Sequence, residues 1–378
     1  MEKRPFWEQK IVQAWKHRNI IWLSGVRRSG KTSICKMIGE AEYFDCELPS
    51  VRKILADPES FLDKYKTSKV VLDEVHRLDN PSEILKIAAD HYPKLKIIAT
   101  GSSTLGASKK FRDTLTGRKT NIWLTPMTEF DCRCFGISSI DDRLIKGGLP
   151  PFIQSEGFLE SDIQEWVDSY WAKDIQELFS LEKRSSFQKL MELLFVNSGG
   201  IFDATYYARP CEVSRPTIQN YLSVLNATYV MYIIKPFHSH KSSEIVSAPR
   251  VYAFDTGFVT KYNDWNPLRN QDRGKLFEHL VLNEILASNQ SGNGVHYWRD
   301  KRGHEIDFVL KKHKSMVVAI ECKWTADAFD PAAFFAFSKY YRGCRYLVVA
   351  NDVRKQYSKS FNGIKVEFIG LKDLADSG

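Results

Sequence analysis

The chain has 378 residues, of which 43% are hydrophobic and 26% are charged, which excludes a low-complexity chain and allows about two to four folded units. The formal net charge of +8 suits a polyanionic partner without requiring one. None of the seven cysteines forms a Cys-x-x-Cys pair and no apolar run is long enough to cross a bilayer, so we expect a cytoplasmic protein with no disulfide framework, zinc site or membrane partner.

The first motif follows a short apolar run, predicted to be a strand, at residues 20–24. Residues 25–32 match the phosphate-binding pattern Gly-x-x-x-x-Gly-Lys-[Ser/Thr]. Glycines let backbone amides approach phosphate oxygens closely, Lys31 adds charge at the β- and γ-phosphates, and the Thr32 hydroxyl can bind Mg²⁺ at the start of the next helix. We therefore predict a site for ATP and Mg²⁺ formed by Gly25, Arg28, Ser29, Gly30, Lys31, Thr32 and Ser33.

A second apolar run, at residues 69–72, ends in the acids Asp73 and Glu74. This Walker B pattern predicts a buried strand that brings Asp73 to the Mg²⁺ and Glu74 to a water in line with the γ-phosphate. A further strand is predicted over residues 95–100. The serines that follow it, Ser102 and Ser103, are candidates to contact that water or the γ-phosphate, and a plain strand-end turn is the alternative.

An arginine stands just before the next predicted strand, which covers residues 121–124. Arg118 at this edge can reach the γ-phosphate of a neighbouring subunit and neutralise charge in the transition state, as arginine fingers do. We prefer it to Arg112 for this role. The alternative is that both arginines are ordinary surface charges.

Together with Gly147-Gly148-Leu149-Pro150, these motifs resemble the AAA-type ATPases of the archaeal-ATPase branch. The resemblance implies an α/β fold with a parallel sheet at residues 1–127, in which one strand separates the two Walker strands, and a helical lid at 128–182. Many AAA+ proteins have Asn where this chain has its serine pair. The resemblance also implies assembly into a ring, which we expect to be a hexamer, because Arg118 would act in trans.

Residues 183–240 are predicted to form a winged-helix domain. A helix with an apolar stripe is followed by a second helix that Ser214 caps, with Pro216 in its first turn, and then by a strand over 229–234. In a winged helix the second helix presents its first polar residues to a DNA groove. The expected DNA contacts are Arg215, Thr217, Gln219 and Asn220. A helical module that binds protein is the alternative.

The last predicted domain, residues 241–378, carries a second set of charged side chains. Glu278 lies on a predicted helix over 274–287, Asp307 on a strand over 305–310, and Glu321 and Lys323 on one face of a strand over 317–323. These residues can converge at one end of a β-hairpin. Two acids that hold Mg²⁺ and a lysine that polarises water or phosphate would make a phosphodiesterase site.

Residues 303–307 and 320–323 resemble the PD-(D/E)XK nuclease family, which includes archaeal junction resolvases. The resemblance implies a restriction-endonuclease-like α/β domain with its site at Glu278, Asp307, Glu321 and Lys323. Two alternatives stay open. One is an exposed strand with alternating charges, and the other is a nuclease fold that binds DNA without cutting it.

The main hypothesis is a Mg²⁺-dependent ATPase that forms a ring and moves along or remodels DNA, plausibly branched DNA in repair or recombination. The nuclease-like domain would help to bind the DNA. One alternative is an ATP-gated, metal-dependent nuclease. Another is a signalling ATPase whose later domains bind a protein.

Overall fold

The structure is a computed structural model of the chain. It describes residues 2–101, 114–157, 160–176, 181, 183–238, 248–290, 294–311 and 316–374. Contacts between residues divide the chain into two compact units. The first comprises residues 1–138, 149–182 and 227–229, and the second comprises 139–148, 183–226 and 230–378. The predicted division into four domains at residues 127, 182 and 240 stays a prediction.

Helices and strands alternate along the described residues. The helices are α1 Pro5–Ala14, α2 Lys31–Met37, α3 Pro49–Leu55, α4 Pro58–Lys64, α5 Pro81–His91, α6 Glu129–Cys134, α7 Ile140–Lys146, α8 Pro150–Ile153, α9 Glu160–Tyr170, α10 Arg184–Val196, α11 Ala204–Ala208, α12 Arg215–Ala227, α13 Thr256–Tyr262, α14 Asn270–Ser288 and α15 Ala332–Ser338. The strands are β1 Ile20–Ser24, β2 Ala41–Asp45, β3 Lys69–Asp73, β4 Lys96–Thr100, β5 Lys119–Trp123, β6 Gly200–Ile201, β7 Met231–Pro236, β8 Arg250–Ala253, β9 Val295–Arg299, β10 Glu305–Lys311, β11 Val317–Lys323, β12 Arg345–Ala350, β13 Tyr357–Phe361 and β14 Ile364–Ile369.

The first unit is built on a five-stranded parallel sheet in the order β2-β3-β4-β1-β5. Strands β1, β3 and β4 are almost wholly buried, as expected for central strands of a parallel sheet that helices cover on both faces. Strand β4 lies between β1 and β3. The predicted intervening strand between the two Walker strands is therefore confirmed.

Helix α1 is attached to the rest of the first unit by a buried ion pair. Arg4, just before the helix, donates to Asp131 Oδ2 at 2.7 Å, and Trp7 Nε1 donates to the same oxygen at 3.1 Å. Arg4 also donates to the Ser29 carbonyl at 2.8 Å. The N-terminal segment thus contacts both α6 and the phosphate-binding loop.

The second unit is built on a nine-stranded mixed sheet in the order β13-β14-β12-β11-β10-β9-β7-β8-β6. Strands β9, β10 and β11 are antiparallel neighbours, whereas β11, β12 and β14 run parallel. Strand β7 pairs in parallel with β9, so the sheet continues across the predicted boundary at residue 240. The apolar side chains predicted for α14, including Phe277 and Val281, are buried.

The strand predicted over residues 229–234 begins two residues later, at Met231. Tyr229 has φ +63°, a left-handed conformation that a strand cannot contain. The apolar run that predicted a strand from residue 229 is therefore interrupted by a turn.

No helix in the described ranges combines the length and the apolar character needed to cross a membrane.

In the second unit, the tight turn after α7 is hydrogen-bonded to Asp255, which directly precedes α13. Gly148 N donates to Asp255 Oδ2 at 2.6 Å, and Gly257 N donates to Asp255 Oδ1 at 2.9 Å. A Cβ added at Gly147 would lie 1.7 Å from Asp255 Oδ1, and one at Gly148 would lie 2.4 Å from Arg143 Nη2. Gly147 also has φ +78°, so glycine is strongly favoured there, whereas a side chain at Gly148 would have to displace the guanidinium of Arg143.

Candidate nucleotide site and a second carboxylate cluster

The carboxyl ends of β1, β3 and β4 bring the two Walker motifs together in the first unit. They border a cavity of about 330 Å³ whose lining includes Arg27, Lys31, Thr32, Glu74, Lys173 and Asp174. Parallel strands place the loops that follow them at one edge of the sheet, which explains why motifs distant in sequence meet here.

The phosphate-binding loop has the backbone that its glycines allow. Gly25 has φ +148° and Gly30 has φ +96°, and a Cβ at Gly25 would lie 2.5 Å from the Leu124 carbonyl oxygen. Lys31 Nζ donates to the carbonyls of Gly25 at 3.0 Å and Val26 at 3.1 Å. Burial lowers the pKa of Lys31, and the charges of Glu74 and Asp174 oppose that shift. The lysine is thus held over the loop by oxygen acceptors.

Asp73, at the end of β3, accepts hydrogen bonds on both carboxylate oxygens. Thr32 Oγ1 donates to Oδ2 at 2.8 Å and Tyr43 OH donates to the same oxygen at 2.6 Å, while Thr100 Oγ1 donates to Oδ1. Carboxylate and hydroxyl oxygens are the donor set that Mg²⁺ prefers, usually with several waters. Asp73 and Thr32 therefore fit a magnesium ion, and sequence analysis missed Tyr43 and Thr100.

Glu74 follows β3 in a left-handed conformation, with φ +57°. Its backbone N–H donates to Thr100 Oγ1 at 3.0 Å, and its Oε2 lies 3.1 Å from His76 Nδ1. Burial alone would raise the pKa of Glu74, but the hydrogen bond from His76 and the charge of Lys31 lower it. The carboxylate is therefore ionised at neutral pH, as a group that accepts a proton must be.

The segment after α9 also lines this cavity, through Lys173 and Asp174. Asp174, in a π-helical turn at Trp171–Ile175, accepts from Arg27 Nε at 3.0 Å. Burial raises the pKa of Asp174, and Arg27 and Lys31 oppose that rise. Sequence analysis singled out neither residue, because the spacing between them, 147 positions, carries no local signal.

The other predicted residues of this site are distributed as follows. Arg28 pairs with Glu165, and Ser29 is fully buried with its carbonyl bound to Arg4. Ser33 lines the cavity. The candidates Ser102, Ser103 and Arg112 lie outside the described residues.

Arg118 lies at the amino-terminal ends of the strands, whereas the nucleotide site lies at their carboxyl ends. It directly precedes β5, whose first residue, Lys119, pairs with Ile20 at the start of β1. The phosphate-binding loop follows the other end of β1, five residues or about 16 Å away. Arg118 Nε donates to Asp90 Oδ1 at 2.7 Å. It is therefore directed away from the nucleotide site of its own chain.

The second unit brings the four predicted nuclease-like residues together. Lys323 Nζ lies 2.7 Å from Glu321 Oε2, and Cys322 N donates to Asp307 Oδ2 at 2.8 Å. Glu278 accepts from Tyr252 OH and lies 3.6 Å from Arg250 Nη1. We call Glu278, Asp307, Glu321 and Lys323 the carboxylate cluster.

Burial and mutual repulsion dominate the electrostatics of the carboxylate cluster. Burial and the charge of Asp307 raise the pKa of Glu321 to about 8 and that of Glu278 to about 7. Glu321 Oε1 is buried and has no hydrogen-bond partner among the described residues. Within that part of the chain, no set of three or more His, Cys, Asp or Glu side chains is arranged to hold a metal. The cluster thus offers an unsatisfied oxygen, but not a complete protein cage.

Helix α12 has the exposed start that was predicted. Thr217 N donates to Ser214 Oγ at 3.3 Å, which caps the helix, and Arg215, Gln219 and Asn220 are exposed. Thr217 is half-buried and its hydroxyl bonds the Ser214 hydroxyl at 2.8 Å. Arg215, Gln219 and Asn220 can therefore contact a ligand without rearrangement.

Three family models match this chain. Residues 17–131 match the family model of an AAA domain. Residues 137–269 match a domain of unknown function, DUF8612, and residues 273–369 match another, DUF4143. The first unit therefore contains an AAA-type P-loop ATPase domain.

Similar proteins add little about activity. Two uncharacterized proteins, one of Mycobacterium bovis and one of Mycobacterium tuberculosis, are each 25% identical over 314 residues, 80% of this chain and 70% of theirs. The Walker-type ATPase PABY2304 of Pyrococcus abyssi is 16% identical with a TM-score of 0.44, over 69% of this chain and 96% of its own. AMPPCP-bound DnaA of Aquifex aeolicus is 15% identical with a TM-score of 0.31, over 58% of this chain and 86% of its own.

Proposed function

We propose that this chain is a Mg²⁺-dependent ATPase that acts as a ring on DNA. The observation that carries the ATPase is that Lys31, Thr32 and Glu74 line one cavity within the first unit, with Asp73 hydrogen-bonded to Thr32 beside it. Lys31 binds the β- and γ-phosphates, and ionised Glu74 accepts a proton from the attacking water.

Magnesium would be held by Asp73 and Thr32, whose oxygens already share a hydrogen bond of 2.8 Å. When bound, it neutralises charge on the phosphates. Thr100 and Tyr43 orient the Asp73 carboxylate by hydrogen bonds, and His76 orients Glu74.

The test is ATP hydrolysis by the wild type, Lys31→Ala and Glu74→Gln, with Mg²⁺ and with EDTA. We expect Lys31→Ala to lose nucleotide binding, and Glu74→Gln to bind ATP normally but to lose at least about 10²-fold in turnover. Undiminished hydrolysis by Glu74→Gln would contradict the assignment.

Two finer parts of the proposal concern assembly and substrate. Arg118 lies at the sheet edge away from its own site, which supports action on a neighbouring subunit in a ring, for which we propose six subunits. The exposed residues Arg215, Gln219 and Asn220, with the net charge of +8, support DNA as the ligand of α12.

A second candidate function is a metal-dependent nuclease in the second unit, gated by ATP. The buried, unpartnered Glu321 Oε1 beside Lys323 favours it, since a divalent cation would satisfy that oxygen and relieve the repulsion between carboxylates. Glu321→Ala and Lys323→Ala should then abolish strand cutting and leave ATP turnover intact. A wild type that cuts no DNA form with Mg²⁺ or Mn²⁺ would refute the nuclease alone.

DNA dependence separates these proposals from a signalling ATPase with a protein partner. Turnover should be measured with forked, four-way, linear and single-stranded DNA, and the same DNAs examined on a denaturing gel. A DNA ligand predicts stimulated hydrolysis and an affinity that falls steeply with salt. An ATPase indifferent to every DNA would instead favour the protein partner.

A further inference from the structure

Residues 227–229 belong to the first unit, although the residues on either side belong to the second. This short segment begins at Ala227, the last residue of α12, which is the helix proposed to bind DNA, and it precedes β7. Its side chains reach the phosphate-binding loop along two separate routes.

The first route starts at Tyr229. Ser24 Oγ donates to the Tyr229 hydroxyl at 3.0 Å, and Ser24 is the last residue of β1, immediately before Gly25. The Tyr229 ring also stacks on Trp123 at the end of β5, with ring centroids 4.9 Å apart and planes inclined by 18°. Tyr229 thus fixes the strand end from which the loop departs.

The second route starts at Thr228. Its hydroxyl bonds the Tyr170 hydroxyl at 2.6 Å in the interior. Tyr170 stacks on Trp166 with centroids 5.2 Å apart, and Trp166 Nε1 donates to the Arg27 carbonyl at 3.1 Å. The segment therefore supports the phosphate-binding loop at Ser24 and again at Arg27.

Tyr229 makes its contacts with Ser24 and Trp123 in an unfavourable backbone conformation. Its φ of +63° lies in the left-handed region, where a bulky aromatic residue is a genuine outlier. Strained residues persist where the surrounding structure over-determines them, and they cluster at functional positions. Here the ring stack and the two hydroxyl contacts hold the conformation.

We propose that Thr228 and Tyr229 are positioning residues of the nucleotide site, through which a ligand of α12 changes ATP affinity. The inference rests on the proposed ATPase. Its physical basis is that residues 227–229 are a direct extension of α12, so a displacement of that helix is transmitted to both supports of the loop.

The test is a double-mutant cycle on Tyr229→Phe and Ser24→Ala, with fluorescent ATP binding and steady-state hydrolysis as readouts. Loss of one hydrogen bond should weaken ATP binding and raise KM by about two- to tenfold, with kcat changed less. Because both changes remove the same bond, the double variant should be no worse than the worse single variant. Tyr340→Phe, an exposed tyrosine of the second unit, is the matched control and should bind ATP normally.

In the second part of the test, ATP binding is measured in the presence of linear duplex DNA. The DNA should shift the ATP affinity of the wild type and leave that of Tyr229→Phe unmoved. Additive effects of the two substitutions, or an unaltered KM in Tyr229→Phe, would overturn the inference. A wild type that binds ATP without hydrolysing it would instead refute the proposed ATPase, while the binding cycle would still report on positioning.

Discussion

At the scale of single residues, several side chains at or near the candidate nucleotide site are placed by unusual backbone conformations. Glu74, directly after β3, and Tyr229, two residues after α12, both have positive φ. Arg28, within the phosphate-binding loop, has φ +66°. Positive φ is rare outside glycine, and three of the seven such residues in the described part of the chain contribute to this site or to its supports.

Gly147→Ala should destabilise the protein by roughly 2–5 kcal/mol, because the new Cβ adds left-handed strain to an overlap with Asp255. The added atom would lie 1.7 Å from Asp255 Oδ1 at a residue with φ +78°. Urea unfolding measures the loss.

Gly343→Ala is the matched control for that substitution. Gly343 has φ +73° but no atom within 4 Å of the added Cβ, so only the backbone strain of about 1–2 kcal/mol remains. Equal losses in the two variants would show that the contact with Asp255 is unimportant.

At the scale of elements, buried charges link helices and strands that are distant in sequence. Arg4 joins α1 to α6 through Asp131, which is fully buried. The carboxylate cluster joins α14 to the β10–β11 hairpin. The first is a pair of opposite charges, whereas in the second the carboxylates raise one another's pKa by repulsion.

Arg4→Ala should destabilise the first unit by about 3–5 kcal/mol, since it leaves the Asp131 carboxylate buried without its counter-charge. It should also weaken ATP binding, because Arg4 holds the Ser29 carbonyl. Thermal unfolding and nucleotide binding measure the two effects. Arg18→Ala, at an exposed position, is the control and should alter neither.

The carboxylate cluster should make stability fall as pH rises. The folded pKa values of Glu278, about 7, and Glu321, about 8, exceed the unfolded value near 4.5, so the folded state holds more protons in that interval. Unfolding midpoints in urea should decrease from about pH 5 to pH 8. Glu321→Gln should flatten this dependence.

Glu367→Gln is the matched control for the pH series. Its hydrogen bond from Arg345 lowers the pKa of Glu367, so this group is already ionised in both states across the same interval. Its removal should leave the slope unchanged. A slope in Glu321→Gln as steep as in the wild type would contradict the assignment of the effect to the cluster.

At the scale of the whole molecule, the two units are not successive stretches of chain. The chain passes between them after residues 138, 148, 182, 226 and 229. A fragment ending at residue 182 would therefore lack residues 227–229, and with them the contacts to Ser24 and Tyr170.

Ring assembly predicts complementation between two inactive variants. Arg118→Ala keeps its nucleotide site but cannot serve its neighbour, and Lys31→Ala keeps Arg118 but cannot bind ATP. Mixing them should recover part of the lost hydrolysis. Mixing Arg118→Ala with the double variant Lys31→Ala/Arg118→Ala should recover none. Full activity of Arg118→Ala by itself would exclude the role.

The sequence by itself predicted the elements whose signals are local. The Gly-x-x-x-x-Gly-Lys-Thr pattern and the apolar run before Asp73 indicated strands β1 and β3, the family resemblance that these motifs carry implied the parallel sheet, and the alternation along β11 placed Glu321 and Lys323 on one face. These predictions succeed because backbone approach, strand burial and side-chain alternation depend on residues close in sequence.

Only the tertiary structure decided which distant side chains complete the sites. The pairing of Asp174 with Arg27, the hydrogen bonds of Tyr43 and Thr100 to Asp73, and the contact of Tyr229 with Ser24 span from 27 to 205 positions. Within the first unit, chain folding brings such residues together through the crossings of the sheet, and no periodicity in the sequence records it. Tyr229 belonged to an apolar run typical of a strand, yet the packing of its ring placed it in a turn.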